Sequence, residues 1–152
     1  MGVRCSCGVL VDASKDNVNV KFESIMGNEK GTITYTADVC FETLETSTLS
    51  LKFVNTDGPP DTSFTFDVNP SLSGTEITSV TCKQEGNNCV ITVTGIGQKE
   101  GFEGSALLSF TAVFRDGVGT DNVQSFDIPG FFAQTGAEPV PDGSITNQGC
   151  AE

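Results

Sequence analysis

The sequence predicts an all-β domain, an antiparallel two-sheet β-sandwich of jelly-roll or immunoglobulin-like type, stapled by disulfides. Three observations carry that expectation. Apolar residues recur with a period of two, and no segment shows a helical period. Turn formers punctuate the chain at short intervals: Asp57-Gly58-Pro59-Pro60, Asn69-Pro70, Gly86-Asn87-Asn88, Asp116-Gly117 and Pro129-Gly130. Six cysteines, Cys5, Cys7, Cys40, Cys82, Cys89 and Cys150, run from end to end of a 152-residue chain that has no histidine. An even set of this kind reads as a disulfide framework in an oxidising compartment.

A first strand is predicted over residues 18–22. The next spans 31–41, where Ile33, Tyr35, Ala37, Val39 and Phe41 alternate with Thr32, Thr34, Thr36, Asp38 and Cys40, as a half-buried strand requires. Leu49, Leu51 and Phe53 repeat the pattern, as do Phe64, Phe66 and Val68. Strands follow over 75–82 and 89–94. Ala106, Leu108, Phe110, Ala112 and Phe114 then form the longest stripe, with Leu107 and Val113 on its reverse face, and a strand over 122–128 comes last. The expected core is Ile33, Tyr35, Val39, Phe41, Leu49, Leu51, Phe53, Phe64, Phe66, Leu108, Phe110 and Phe114. Residues 1–152 read as one domain, in which 134–152, richer in Gly, Pro and Asn, wrap the surface. Residues 1–7 lack the apolar stretch of a signal peptide, which suits a mature secreted form with an added or replaced start.

Cys82 and Cys89 flank a short Gly/Asn loop, so a bridge closing that hairpin is the expected pairing. Cys5 and Cys7, two apart on an extended segment, are expected to reach Cys40 and Cys150 in either order and to tie both termini to the sheet.

Phe64-Thr65-Phe66-Asp67-Val68-Asn69-Pro70-Ser71-Leu72, followed by Ile77-Thr78-Ser79-Val80, resembles a segment of cohesin-like domains. Val90 to Gly95 and Gly104 to Phe110 are similar to that family's next pair of strands. The likeness covers about a third of the chain and departs from the family in the six cysteines and the acidic, glycine-rich last third. It implies a jelly-roll sandwich that presents a sheet face to a partner module, and it places no functional residue.

Twenty acids against eight bases give a net charge of −12. Such a field repels phosphate backbones, so neither nucleic acid nor an anionic membrane is expected as a partner. No apolar run reaches the roughly 18 residues of a membrane helix, and no membrane insertion is expected. Without histidine, Ser/His and Cys/His catalysis fail. Paired cysteines leave no thiol nucleophile, and Gly95-Ile96-Gly97 lacks the lysine and helix of a phosphate loop. With no tryptophan and one tyrosine, an aromatic sugar platform is absent as well. No enzyme activity and no required cofactor are expected.

Two candidate sites remain. Asp116-Gly117-Val118-Gly119-Thr120-Asp121-Asn122 offers Asp116, Asp121 and Asn122 as hard oxygen ligands for calcium, with Gly117 or Gly119 turning a backbone carbonyl inward. Asp57, Asp61 and Asp67 form a weaker acidic region of the same kind. Phe131-Phe132 breaks the alternation: either the tail covers both rings, or one ring faces out as an anchor for a protein partner or a second copy. The functional expectation is a secreted, non-enzymatic binding or adhesion module. Its alternative is a self-assembling subunit of an extracellular matrix, coat or fibre.

Overall fold

A computed structural model describes residues 5–59 and 61–150. The described chain is 66% strand and 4% helix, which keeps it all-β. Eleven strands run as β1 Gly8–Phe22, β2 Glu29–Cys40, β3 Thr48–Asn55, β4 Phe64–Val68, β5 Glu76–Glu85, β6 Asn88–Gly101, β7 Ala106–Asp116, β8 Thr120–Ile128, β9 Phe132–Gln134, β10 Glu138–Pro141 and β11 Ile145–Gln148. A 3-10 segment, Phe41–Thr46, separates β2 from β3.

The two-sheet sandwich is corrected: the sheet closes into an eight-stranded barrel. The ring runs β1-β2-β3-β4-β6-β7-β8-β9, every neighbour antiparallel. Closure depends on β9, whose three residues pair with Val20–Phe22 of β1 on one edge and with Asp127 and Ile128 of β8 on the other. Long strands serve two neighbours in succession on one edge. β6 pairs with β5 from Asn88 to Ile96 and with β4 from Gln98 onward. In the same way β1 takes β11 at its start and β9 at its end, while β8 takes β10 at its start.

An eight-stranded ring has an interior just wide enough for side chains to fill. Here it holds Val9, Val11, Ile33, Tyr35, Leu51, Phe53, Phe64, Phe66, Ile91, Val93, Phe110, Ala112, Phe114 and Phe126, all buried. At one end Phe22, Phe53, Phe64, Phe102, Phe131 and Phe132 form a cluster of edge-to-face and tilted rings. Phe66, Phe110, Phe126 and Tyr35 form a second layer. Gly97 faces inward on β6 because the Phe66 ring takes its space; a Cβ there would lie 2.5 Å from Phe66 Cζ.

The inward set of β1 changes parity, odd at Val9, Val11 and Ala13 and even at Val18, Val20 and Phe22. A bulge between Lys15 and Val18 absorbs the change. Asn17 sits there at φ 58°, in the left-handed region that Asn tolerates better than most residues. Similar shifts in β5 and β8 return Val80 and Phe126 to the interior. Two expected core positions are corrected. Phe41 is 54% exposed, because β2 ends at Cys40 and the 3-10 segment turns the ring outward. Leu108 is half-buried against the core rather than within it.

All six cysteines are paired, as Cys5–Cys40, Cys7–Cys82 and Cys89–Cys150, with Cα separations of 5.5, 5.8 and 6.1 Å, inside the ordinary range. The expected Cys82–Cys89 bridge is therefore corrected, and so is the expectation that Cys5 and Cys7 share Cys40 and Cys150. Cys82 lies opposite Ile91 and Cys89 opposite Gln84, which makes the two diagonal neighbours on their shared face, so nearness alone does not decide the pairing. Both termini arrive at this end of the barrel and claim one sulfur each. Three disulfides and no free cysteine among the described residues suit an oxidising compartment, and no described helix is long and apolar enough to cross a membrane.

Candidate functional site

The residues expected to bind calcium do not converge. Asp121 is fully buried, and its carboxylate accepts the N–H groups of Gly117 at 3.0 Å and of Gly143 and Ile145 at 2.9 Å each. Asp116 Oδ2 accepts the Asn147 N–H at 2.9 Å and its side-chain amide at 2.7 Å. Alternation along β8 buries Asp121 and sends Asn122 to the opposite face. The two carboxylates thus bind the C-terminal strands to the β7–β8 turn. Asp57, Asp61 and Asp67 also stay apart: Asp61 Oδ1 accepts the Ser63 N–H, while Asp67 lies on β4.

Both rings of Phe131 and Phe132 are buried, so of the two readings the covered one holds and the outward anchor is corrected. Phe131 closes the turn after β8 with its N–H on the Ile128 carbonyl, so strand alternation does not govern it. Its ring centroid lies 4.6 Å from Lys99 Nζ. That ammonium is buried and donates to the Phe102 and Gly104 carbonyls at 2.6 Å each. Burial lowers the Lys99 pKa, opposed by the carboxylates of Glu103 and Glu100.

A further buried polar group is Tyr35, whose hydroxyl donates to Gln134 Oε1 at 2.5 Å. Gln134 in turn donates to the Val123 and Gly136 carbonyls at 3.0 and 2.7 Å, joining β2 to the closing strand β9. Burial, and then the Glu138 carboxylate, raise the phenol pKa far above its ordinary value. The folded chain keeps a proton that the unfolded chain releases, so stability falls as pH rises past about 10, by up to about 1.4 kcal/mol per pH unit. Tyr35 is the only tyrosine and there is no tryptophan. Phenolate absorbance is therefore expected to stay silent until the barrel unfolds; a reversible phenolate signal from folded protein would contradict this placement.

The outer surface holds the best candidate site, a groove of about 560 Å³ across β1 to β4. Register aligns one polar side chain per strand along its floor, Asp12 beside Thr36, Thr36 beside Ser50, and Ser50 beside Asp67. Asp38 beside Thr48 forms the next row. The loop after β4 makes the rim, where Asn69 Oδ1 accepts both the N–H and the hydroxyl of Ser71 at 2.9 Å. Thr75 Oγ1 ties the same loop down by donating to the Asn69 carbonyl at 2.8 Å.

Three carboxylates and no cationic side chain line this groove. Three strand spacings put Asp12 and Asp67 about 14 Å apart. That span is too wide for one cation and suits an extended surface carrying several donors. The individual residues were visible in the sequence, but their alignment follows only from strand register. Their signal was the polar phase of four separate strands.

Comparison with protein-family models, with curated proteins and with solved structures found no match. The resemblance to cohesin-like domains gains no support there, and the jelly-roll sandwich it implies is the fold that the closed barrel replaces.

Proposed function

We propose that this chain is a secreted, non-enzymatic binding module that uses the outer face of β1 to β4 to hold a basic segment of a protein partner. The observation that carries this reading is the row Asp12, Thr36, Ser50 and Asp67 fixed on a closed, cross-linked barrel. The strands hold these groups in place before a partner arrives, so little ordering entropy is lost on binding. The acidic surface speeds the encounter with a cationic partner. The buried polar groups described above are engaged in holding the fold, which supports a binding role over catalysis. An apolar interior and a polar exterior are the reverse of a membrane-spanning barrel, in keeping with a chain surrounded by water.

The alternative, a self-assembling subunit, needs an open strand edge. β10 carries Pro139 and Pro141 on its short run beside β8, and the 3-10 segment packs against β5. Prolines and covered edges resist edge-to-edge pairing. Light scattering during gel filtration is expected to give a monomer at every loading; growth of the particle with concentration would favour the subunit instead. Titration with a lysine-rich peptide is expected to shift backbone amide resonances of β1 to β4. Those shifts should be lost in salt and in the triple variant Asp12→Asn, Asp38→Asn, Asp67→Asn. Shifts spread evenly over the acidic surface would overturn the assignment of the site.

A further inference from the structure

Two of the three disulfides are near enough to exchange partners. The Sγ atoms of Cys82, Cys89 and Cys150 all lie within 4.8 Å of one another, although Cys82 is bonded to Cys7. A solvent-open hollow of about 320 Å³ lies over this point, lined by Ser6, Cys7, Phe41, Val80, Cys82 and Cys150 among others. Cys7 and Cys82 are half-buried, so their bond can be reached from the hollow; Cys89 and Cys150 are both buried, and of the two only Cys150 lines the hollow.

We propose that this hollow is a thiol-exchange site, in which an external thiol opens Cys7–Cys82 and Cys82 relays the exchange to Cys89–Cys150. The external thiolate attacks Cys7 Sγ. The Cys7–Cys82 bond breaks, a mixed disulfide forms on Cys7, and Cys82 leaves as thiolate. Cys82 then attacks Cys89 Sγ, forming Cys82–Cys89 and releasing Cys150 as thiolate, which takes a proton from water. The number of disulfide bonds is conserved, and no oxidant is needed.

The regiochemistry follows from which of the two buried sulfurs borders the hollow. Attack on Cys150 would leave the Cys89 thiolate inside the barrel, where desolvation disfavours charge. Attack on Cys89 leaves charge on Cys150, which lines the open hollow. The product bridge joins diagonal, same-face neighbours of the β5–β6 hairpin. β11 stays in place through Asp116–Asn147 and Asp121–Ile145, and Cys5–Cys40 still holds the first segment. The change is therefore confined to a C-terminal latch that opens and presents one thiol.

The test is to expose native protein to limiting glutathione, quench with acid, alkylate, and map the cysteines by mass spectrometry after trypsin. Cleavage at Lys83 separates Cys82 from Cys89 and makes a bridge between them readable. Glutathione on Cys7, a Cys82–Cys89 linked pair and alkylated Cys150 are expected. Alkylated Cys82 with Cys89–Cys150 intact would overturn the relay, as would a Cys82–Cys150 pair or no exchange at all. In the variant Cys7→Ser, the label is expected on Cys150 without any added thiol; label on Cys82 would overturn the relay.

Discussion

Phe22→Ala is expected to cost about 4–5 kcal/mol of unfolding free energy, the largest effect of any single core truncation in this chain. Phe22 is fully buried, and its ring lies 5.1–5.8 Å from the rings of Phe53, Phe64, Phe102, Phe131 and Phe132. Truncating a buried Phe ordinarily costs about 3–5 kcal/mol. Edge-to-face partners add about 0.5–1.5 kcal/mol per pair, though not additively. The site cannot easily collapse, because its walls belong to strands fixed by barrel closure. Urea or guanidinium unfolding measures the loss. Phe41→Ala is the control: its ring is exposed, and its truncation should stay within about 0.5 kcal/mol. Equal losses in the two variants would place Phe22 outside the core.

Asp121→Ala is expected to cost about 3–5 kcal/mol, with Asp121→Asn costing less. The alanine leaves the N–H groups of Gly117, Gly143 and Ile145 without their acceptor, at a buried point where the β7–β8 turn and the C-terminal strands meet. Removing the charged partner from a buried network of this kind is costly, because the remaining groups have given up their water. Asparagine can still turn its one carbonyl oxygen to Gly143 and Ile145, but it then sets its amide against the Gly117 N–H. The same loss is expected in chelator and in millimolar calcium, because the acceptor role needs no cation. A loss that appears only with calcium present would return Asp121 to the role of a metal ligand.

The strands were legible where one face is continuously buried. Ile33 to Val39 shows this, since apolar and polar residues alternate there without a break. The first half of β1 was hidden by the bulge at Asn17, which puts Val9, Val11 and Ala13 out of phase with Val18, Val20 and Phe22. Alternation cannot separate a sandwich from a barrel, because each needs one apolar face per strand. The difference lay in β9, three residues whose partners are far away in sequence. Spacing suggested a local bridge between Cys82 and Cys89, whereas the meeting of both termini at one barrel end decided otherwise. The groove was illegible for a related reason: Asp12, Thr36, Ser50 and Asp67 become neighbours only through register across four strands.

Closure by β9 also dictates when this protein can mature. Residues 132–134 must reach residues 20–22 before the ring exists, so during synthesis β1 waits with one edge unpaired until most of the chain has emerged. Cys5–Cys40 can be oxidised early, because its two cysteines are 35 residues apart, whereas Cys89 has no native partner until Cys150 has been made. Long-range pairing of this kind slows folding and prolongs the exposure of strand edges. Cys7–Cys82 and Cys89–Cys150, whose cysteines are 75 and 61 residues apart, can therefore form only after longer stretches of chain have been made. Biogenesis is paced by residues 132–150, although most of the barrel wall precedes them.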